Sequence, residues 1–176
     1  MPLTYDIREI RSSDAQAYIG ALERLLRDAV ESGASIGFVM PLEESDIGRY
    51  WREVVEAMSA GSRRLLGAFD GGQLVGAVQL DPASKANARH RGEVQKLLVH
   101  RPARRRGIAR MLMLSVEQLA LSLGRTLLVL DVRLHDPAQR LYESLGYRHT
   151  GVVPRYACDP DGTLRDCLFM HKELAP

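Results

Sequence analysis

Between residues 99 and 110 the chain reads Val99-His100-Arg101-Pro102-Ala103-Arg104-Arg105-Arg106-Gly107-Ile108-Ala109-Arg110, residue types suited to holding an anion. Pro102 forces a turn, Gly107 and Ala109 carry almost no side chain, and the apolar periodicity from Ile108 predicts a helix. A helix N-terminus presents unsatisfied N–H groups and about half a positive charge. Small residues there let a pyrophosphate approach the backbone, while Arg104, Arg105, Arg106 and Arg110 add attraction and charge-assisted hydrogen bonds. The bland alternative is a solvated basic loop ahead of a helix. A nucleic-acid footprint is a further reading of such an arginine run. No aromatic residues interleave the arginines and no second basic patch accompanies them, so nucleic acid is not an expected partner.

The rest of the composition narrows the class. With 176 residues, 45% hydrophobic and 26% charged, the chain fits one compact domain with a substantial core. A formal net charge of +2 makes no global basic field, so the basic feature that matters is local. Cys158 and Cys167 are too few for a disulfide framework, and no signal-peptide pattern opens the sequence. A cytoplasmic location is therefore expected. No apolar run approaches the roughly 20 residues of a membrane helix, so no membrane association is expected.

The elements that must position the arginine-rich turn follow from periodicity and punctuation. Tyr5 to Ile10 alternates as a strand, and Ser13 and Asp14 offer cap chemistry for a helix to about Ser32. Gly33 to Pro41 is apolar but broken by glycine and proline, which predicts a shaped loop. A second helix spans roughly Ser45 to Ala60. Strands follow at Arg64 to Phe69 and Leu74 to Leu80, joined by the tight turn Asp70-Gly71-Gly72-Gln73. The polar stretch Asp81 to Arg91 predicts a mobile loop. Beyond it come a strand from Glu93 to Val99, a helix from about Ile108 to Leu123, and a strand from Thr126 to Val132 covered on both faces. A short helix, Pro137 to Leu145, precedes a long hairpin of Tyr147 to Tyr156 and Leu164 to Leu174. The expected fold class is α/β (α+β): a mixed sheet of about seven strands, helices on both faces, and a right-handed crossover between the strands that flank the arginine-rich turn.

Two motifs carry a family resemblance. Arg104-Arg105-Arg106-Gly107-Ile108-Ala109 resembles the Arg/Gln-x-x-Gly-x-Gly/Ala signature of the GNAT superfamily of N-acetyltransferases, and Ala138-Gln139-Arg140-Leu141-Tyr142-Glu143-Ser144-Leu145-Gly146-Tyr147 resembles its Ala-x-x-Leu-Tyr-x-x-x-Gly-Phe element. The tabtoxin-resistance-type acetyltransferases are more similar still. They share a loop like Gly33 to Phe38, a strand like Glu93 to Leu97, a pair like Leu130-Asp131 and a turn like Pro160 to Gly162. The resemblance spans essentially the whole chain and implies a single GNAT domain.

It also implies roles. The co-substrate would be acetyl-CoA, without a metal, and the acceptor a small-molecule amine, as in detoxification of an amino-acid-like antibiotic. Leu97, Leu98 and Val99 would offer backbone groups to the pantetheine arm and to the developing oxyanion. Arg104, Arg105, Arg106, Gly107, Ile108, Ala109 and Arg110 would surround the pyrophosphate. His135 stands where many members have a cofactor-contacting asparagine. An ammonium must lose a proton before it attacks a thioester, and Glu93 and Asp131 are the candidate bases. Tyr142 matches the tyrosine that protonates the departing thiolate. Ser35, Phe38 and Tyr156 would line the acceptor groove, whereas Trp51 lies on an apolar helix face and suits the core. The two cysteines, on the C-terminal hairpin, are expected to pack away from this chemistry. Acetylation of a protein N-terminus or lysine, and a non-catalytic acetyl-CoA sensor, are the competing readings; monomer and homodimer both stay open.

Overall fold

The computed structural model describes residues 5–175. Strand β1, Asp6–Ile10, leads into helices α1, Ala15–Glu31, and α2, Glu44–Ser59. Strands β2, Arg64–Asp70, β3, Gln73–Pro82, and β4, Arg91–Val99, follow, then helix α3, Ile108–Ser122. Strand β5, Leu127–Arg133, helix α4, Pro137–Ser144, and strands β6, Arg148–Cys158, and β7, Leu164–Glu173, complete the chain. The strands make one mixed sheet ordered β1-β2-β3-β4-β5-β7-β6, in which β4 and β5 are parallel and every other pair antiparallel. The expected seven-stranded fold is formed.

Local chemistry explains most boundaries. Gly71 and Gly72 both have positive φ, +54° and +86°, the pair of values that lets a two-residue turn follow the twist of β2 and β3. Asp14 does occupy the N-cap of α1, but its side chain makes no capping bond; it accepts instead from Ser13 Oγ. Residues 81–91 are more ordered than their polarity predicts. β3 runs on to Pro82, Ala86–Ala88 forms a short 3-10 turn, and Ala83 N–H donates to the Arg91 carbonyl at 3.0 Å. Asp81 pairs across the ladder with Glu93 and holds Arg63 through both carboxylate oxygens, which is why the segment stays in the sheet.

Two apolar layers sandwich the sheet. Leu22, Leu25 and Leu26 of α1 and Ile47, Trp51 and Val54 of α2 pack on Ile10, Leu65, Phe69, Ala77 and Leu98. On the other face Ile108, Leu112, Met113 and Val116 of α3 meet Leu66, Ala68, Val78, Leu80, Val94, Leu128 and Leu130. Each such side chain contributes about 1.5–3 kcal/mol by leaving water. Residues four apart in a regular strand share a face, yet Val94 belongs to the α3 layer and Leu98 to the α1–α2 layer. The cause is a β-bulge in β4: Ala77 pairs with Leu98 but Gln79 with Gln95, so β4 carries one extra residue. Lys96 within it has φ +50°.

Candidate active site

β4 and β5 pair only at Arg91–Leu127, Gly92–Leu128 and Glu93–Val129. Past these rungs the strands part, and among the described residues the β4 edge facing β5 has no ladder partner. A cleft of about 570 Å³ opens there, walled by residues 93–97 of β4, Asp131 to Arg133 of β5, Asp136 at the N-cap of α4, and Ala138 and Tyr142 of α4. Residues 34–39 and Tyr156 to Cys158 close its other sides. The candidates Glu93, Leu97, Asp131, Tyr142, Ser35, Phe38 and Tyr156, spread over more than 120 positions of sequence, thus line one cavity.

The acid–base groups differ in setting. Glu93 is exposed and accepts from Gln95 Nε2 at 3.0 Å. Asp131 is exposed to the cleft, and partial desolvation by the protein around it raises its carboxyl above its ordinary value despite the opposing charge of Lys96. Tyr142 is buried, with its ring 5.9 Å from that of Tyr147, and burial followed by repulsion from Asp136 and Asp131 raises its phenol far above normal. A phenol so protected stays protonated at neutral pH and is available as a donor. Leu98 is core, whereas Leu97 and Val99 lie partly buried against the α3 layer.

The arginine-rich turn divides its labour. Asp28 of α1, buried, accepts from Arg101 N at 2.8 Å and from Arg101 Nε. Its own burial opposes ionisation, but these bonds and the charges of His100 and Arg101 outweigh it and lower the carboxyl. Arg104 donates through Nε to the Val99 carbonyl at 2.9 Å and through a terminal nitrogen to Ser32 Oγ at 2.8 Å, so both groups also clamp the turn to α1. Arg110 reaches Ser144 Oγ at 3.1 Å, while Arg105, with φ +62°, and Arg106 are exposed. Ile108 is core, so only its backbone can face a ligand, and Ala109 beside it is partly buried. Gly107 is the N-cap of α3 at φ +83°, and a Cβ built on it would meet no atom within 4 Å. The space beside the Gly107 Cα is open, and an anion cradle requires such access to the first α3 amides.

Over the cleft, the α1–α2 connection meets the tip of the β6–β7 hairpin. Met40 N–H donates to the Pro160 carbonyl at 2.7 Å and Ser35 Oγ to the Cys158 carbonyl at 3.2 Å. Arg133 binds Asp159, Asp136 and the Gly33 carbonyl together, and Asp159, buried, also holds Arg165 at 2.7 Å. Phe38 packs edge-on to Tyr50, and Tyr156 edge-on to Phe169. His135, exposed at φ +66°, is absent from the cleft wall; its N–H donates to Gln139 Oε1. Trp51 is core, as its helix face predicts.

Cys158 requires a correction: it lines the cleft rather than packing away from it, because β6 extends two residues beyond Tyr156. Cys167 is buried. Lys96 and Arg133 escaped sequence reasoning. Lys96 sits in a run that reads as plain alternating strand, and only the bulge brings it into the cleft; Arg133 owes its importance to partners as distant in sequence as Gly33 and Asp159.

The comparisons with known proteins agree with this fold. The family model described as "Acetyltransferase (GNAT) family" matches residues 21–147. A ribosomal-protein-alanine N-acetyltransferase from Brucella melitensis is 26% identical, with a TM-score of 0.79 over 96% of this chain and 99% of that one. YncA from Salmonella typhimurium, solved with its cofactor acetyl-CoA, is 21% identical with a TM-score of 0.79, covering 98% of this chain and 95% of its own. A structure described as a candidate phosphinothricin N-acetyltransferase is 19% identical with a TM-score of 0.80, covering 98% of this chain and 100% of that one.

Proposed function

The chain belongs to the acetyltransferase (GNAT) family, and on that footing we propose that it transfers the acetyl group of acetyl-CoA to an amine of a small molecule. The observation that carries this reading is the coincidence of three features on one edge of β4: unpaired backbone after Glu93, an open cradle before α3, and acid–base side chains facing the same cavity. Acetyl-CoA supplies an activated thioester. Amides from Gly107 to Arg110, with Arg105, Arg106 and Arg110, hold its diphosphate. The free backbone of Leu97 to Val99 runs beside its amide-bearing arm and offers N–H groups to the negative charge that develops on the thioester oxygen. Arg104 positions this apparatus by fixing the Val99 carbonyl and tying the turn to α1.

Asp131 takes the ammonium proton, with Glu93 beside it on the parallel strand. A carboxyl raised by desolvation is a better base near neutral pH than an ordinary aspartate. Tyr142 donates its phenolic proton to the departing thiolate. Ser35, Phe38 and Tyr156 shape the acceptor side, and the acceptor is of the size of an amino-acid-like antibiotic. The direct transfer, in which the amine attacks the thioester and the thiolate leaves with a proton, needs no metal. Among the described residues no helix is long and apolar enough to cross a membrane.

A second reading has one observation in its favour, the 26% identity to a ribosomal-protein-alanine N-acetyltransferase. Against it, the Met40–Pro160 and Ser35–Cys158 bonds draw a roof over the cleft where a peptide would have to lie. The test is a thiol-release assay with acetyl-CoA, a panel of small amines and a set of peptides with free N-termini, run beside direct calorimetry of acetyl-CoA binding. Turnover of small amines with little on peptides is expected. Preferential peptide acetylation would transfer the assignment to the second reading, and tight cofactor binding without any turnover would make the chain a sensor.

A further inference from the structure

Lys96 is a charged group in the cleft that the transfer reaction leaves unused. The β4 bulge holds it at φ +50°, a conformation costly for a residue with a side chain and retained mainly where function needs it. Its ammonium lies 5.8 Å from the centroid of the Tyr50 ring and 3.8 Å from where a Cβ on Gly37 would be. Tyr50 is itself fixed by its hydrogen bond with buried Gln79, at 2.9 Å. The nitrogen is thus boxed between the α1–α2 loop, α2 and β4, and burial lowers its proton affinity. Among the described residues no carboxylate oxygen lies within 4.0 Å of it. A cation withdrawn from water without a contacting anion is costly, and the cost falls when an anion docks.

Glu93 and Asp131 line the same cavity and act on Lys96 only through space. The cleft therefore offers two carboxylates for an incoming ammonium and, on the roof side, one ammonium with nothing to hold. A simple amine satisfies the first feature and leaves the second unmet. A peptide N-terminus does the same unless its first residue is Asp or Glu, since its α-carboxyl is tied up in the peptide bond. A small molecule bearing both an amine and a carboxylate a few bonds apart satisfies both at once.

We propose that Lys96 is the anion subsite for the acceptor, so that the enzyme selects small zwitterions and binds their carboxylate at the β4 bulge. This rests on the small-molecule acetyltransferase reading. The test uses matched pairs of small amines differing only in a carboxylate, each assayed for kcat/KM with saturating acetyl-CoA and for binding by calorimetry. The wild-type chain is expected to favour the carboxylate member by ~10–100-fold, the size of one charge-assisted bond. Lys96→Met should collapse that ratio toward one, mainly through KM, and Lys96→Arg should restore much of it, which separates charge from folding. Equal treatment of both members by the wild type would overturn the proposal, as would Lys96→Met lowering both members alike, the mark of a cation serving the thioester oxygen. If no amine is turned over but carboxylate members bind the wild type and not Lys96→Met, the subsite stands and the enzymatic reading falls. If neither member binds or reacts, both fall.

Discussion

Gly107 and Gly124 mark opposite ends of α3, and substituting them one at a time separates folding from cofactor binding. Both have positive φ, +83° and +70°, and in both cases a Cβ would meet nothing within 4 Å. Gly107→Ala and Gly124→Ala therefore create no clash in the protein, and each costs only the left-handed strain of an L-residue, about 1–2 kcal/mol. For a chain of this length that is a Tm loss of roughly 2–8 °C in either variant. Acetyl-CoA affinity should separate them. A methyl at residue 107 sits where the diphosphate must approach the first α3 amides, and losing one or two charge-assisted bonds weakens binding by ~10–100-fold or more. Gly124 lies at the far end of the helix and should leave the Kd unchanged within about twofold by the same scale. Thermal denaturation and calorimetric titration of both variants supply the comparison. Equal affinity in Gly107→Ala and Gly124→Ala would refute the cradle, whatever happened to stability.

Three more outcomes follow from the cleft. Tyr142→Phe should lower kcat by ~100-fold or more while leaving the Kd for acetyl-CoA nearly unchanged, the pattern of a lost proton donor; single-turnover kinetics would show it. Asp131→Asn should remove the acidic limb of the kcat/KM profile, because the base must be deprotonated and its raised carboxyl takes up a proton at a higher pH than an ordinary aspartate. The same variant should gain in Tm as pH rises: a carboxyl raised by folding destabilises only when ionised, so the cost is absent below the usual aspartate value and complete above the raised one. Asp159→Asn should cost about 1–3 kcal/mol in chemical denaturation, less than a fully stranded charge, because Arg133 keeps Asp136. Paired Asp159 is depressed, its burial being outweighed by Arg165 and Arg133, so that contribution is present above the ordinary aspartate pKa and disappears as pH drops through the lowered one.

Much of the architecture is legible because its signals are local. Gly71-Gly72 dictates the β2–β3 turn, Gly124 and Gly146 end α3 and α4, and the apolar run of β5 announces a strand, although only Leu128, Leu130 and Val132 on one face are buried while Asp131 on the other is exposed. What periodicity could not reveal lies in β4. Leu97-Leu98-Val99 continues an apolar strand on paper, but one inserted residue reverses which side chains face α3. The arginine run was likewise legible as charge but not as function. Asp28, over 70 positions upstream, engages Arg101 as a structural clamp. Placing Cys158 depended on where β6 ends, and strand ends are set by the partner strand and by the Arg133–Asp159 bonds rather than by local preference.

The sheet's sparse central seam has a mechanical corollary. Four strands on one side and three on the other are joined through main-chain pairing at only three residue positions. An elongated molecule with amide groups of its own, laid against the free flank of β4, would act as extra stitching between the two halves. Occupancy should then slow hydrogen–deuterium exchange not just at the contacted amides but throughout β4 and β5, making the fold more cooperative when loaded than when empty.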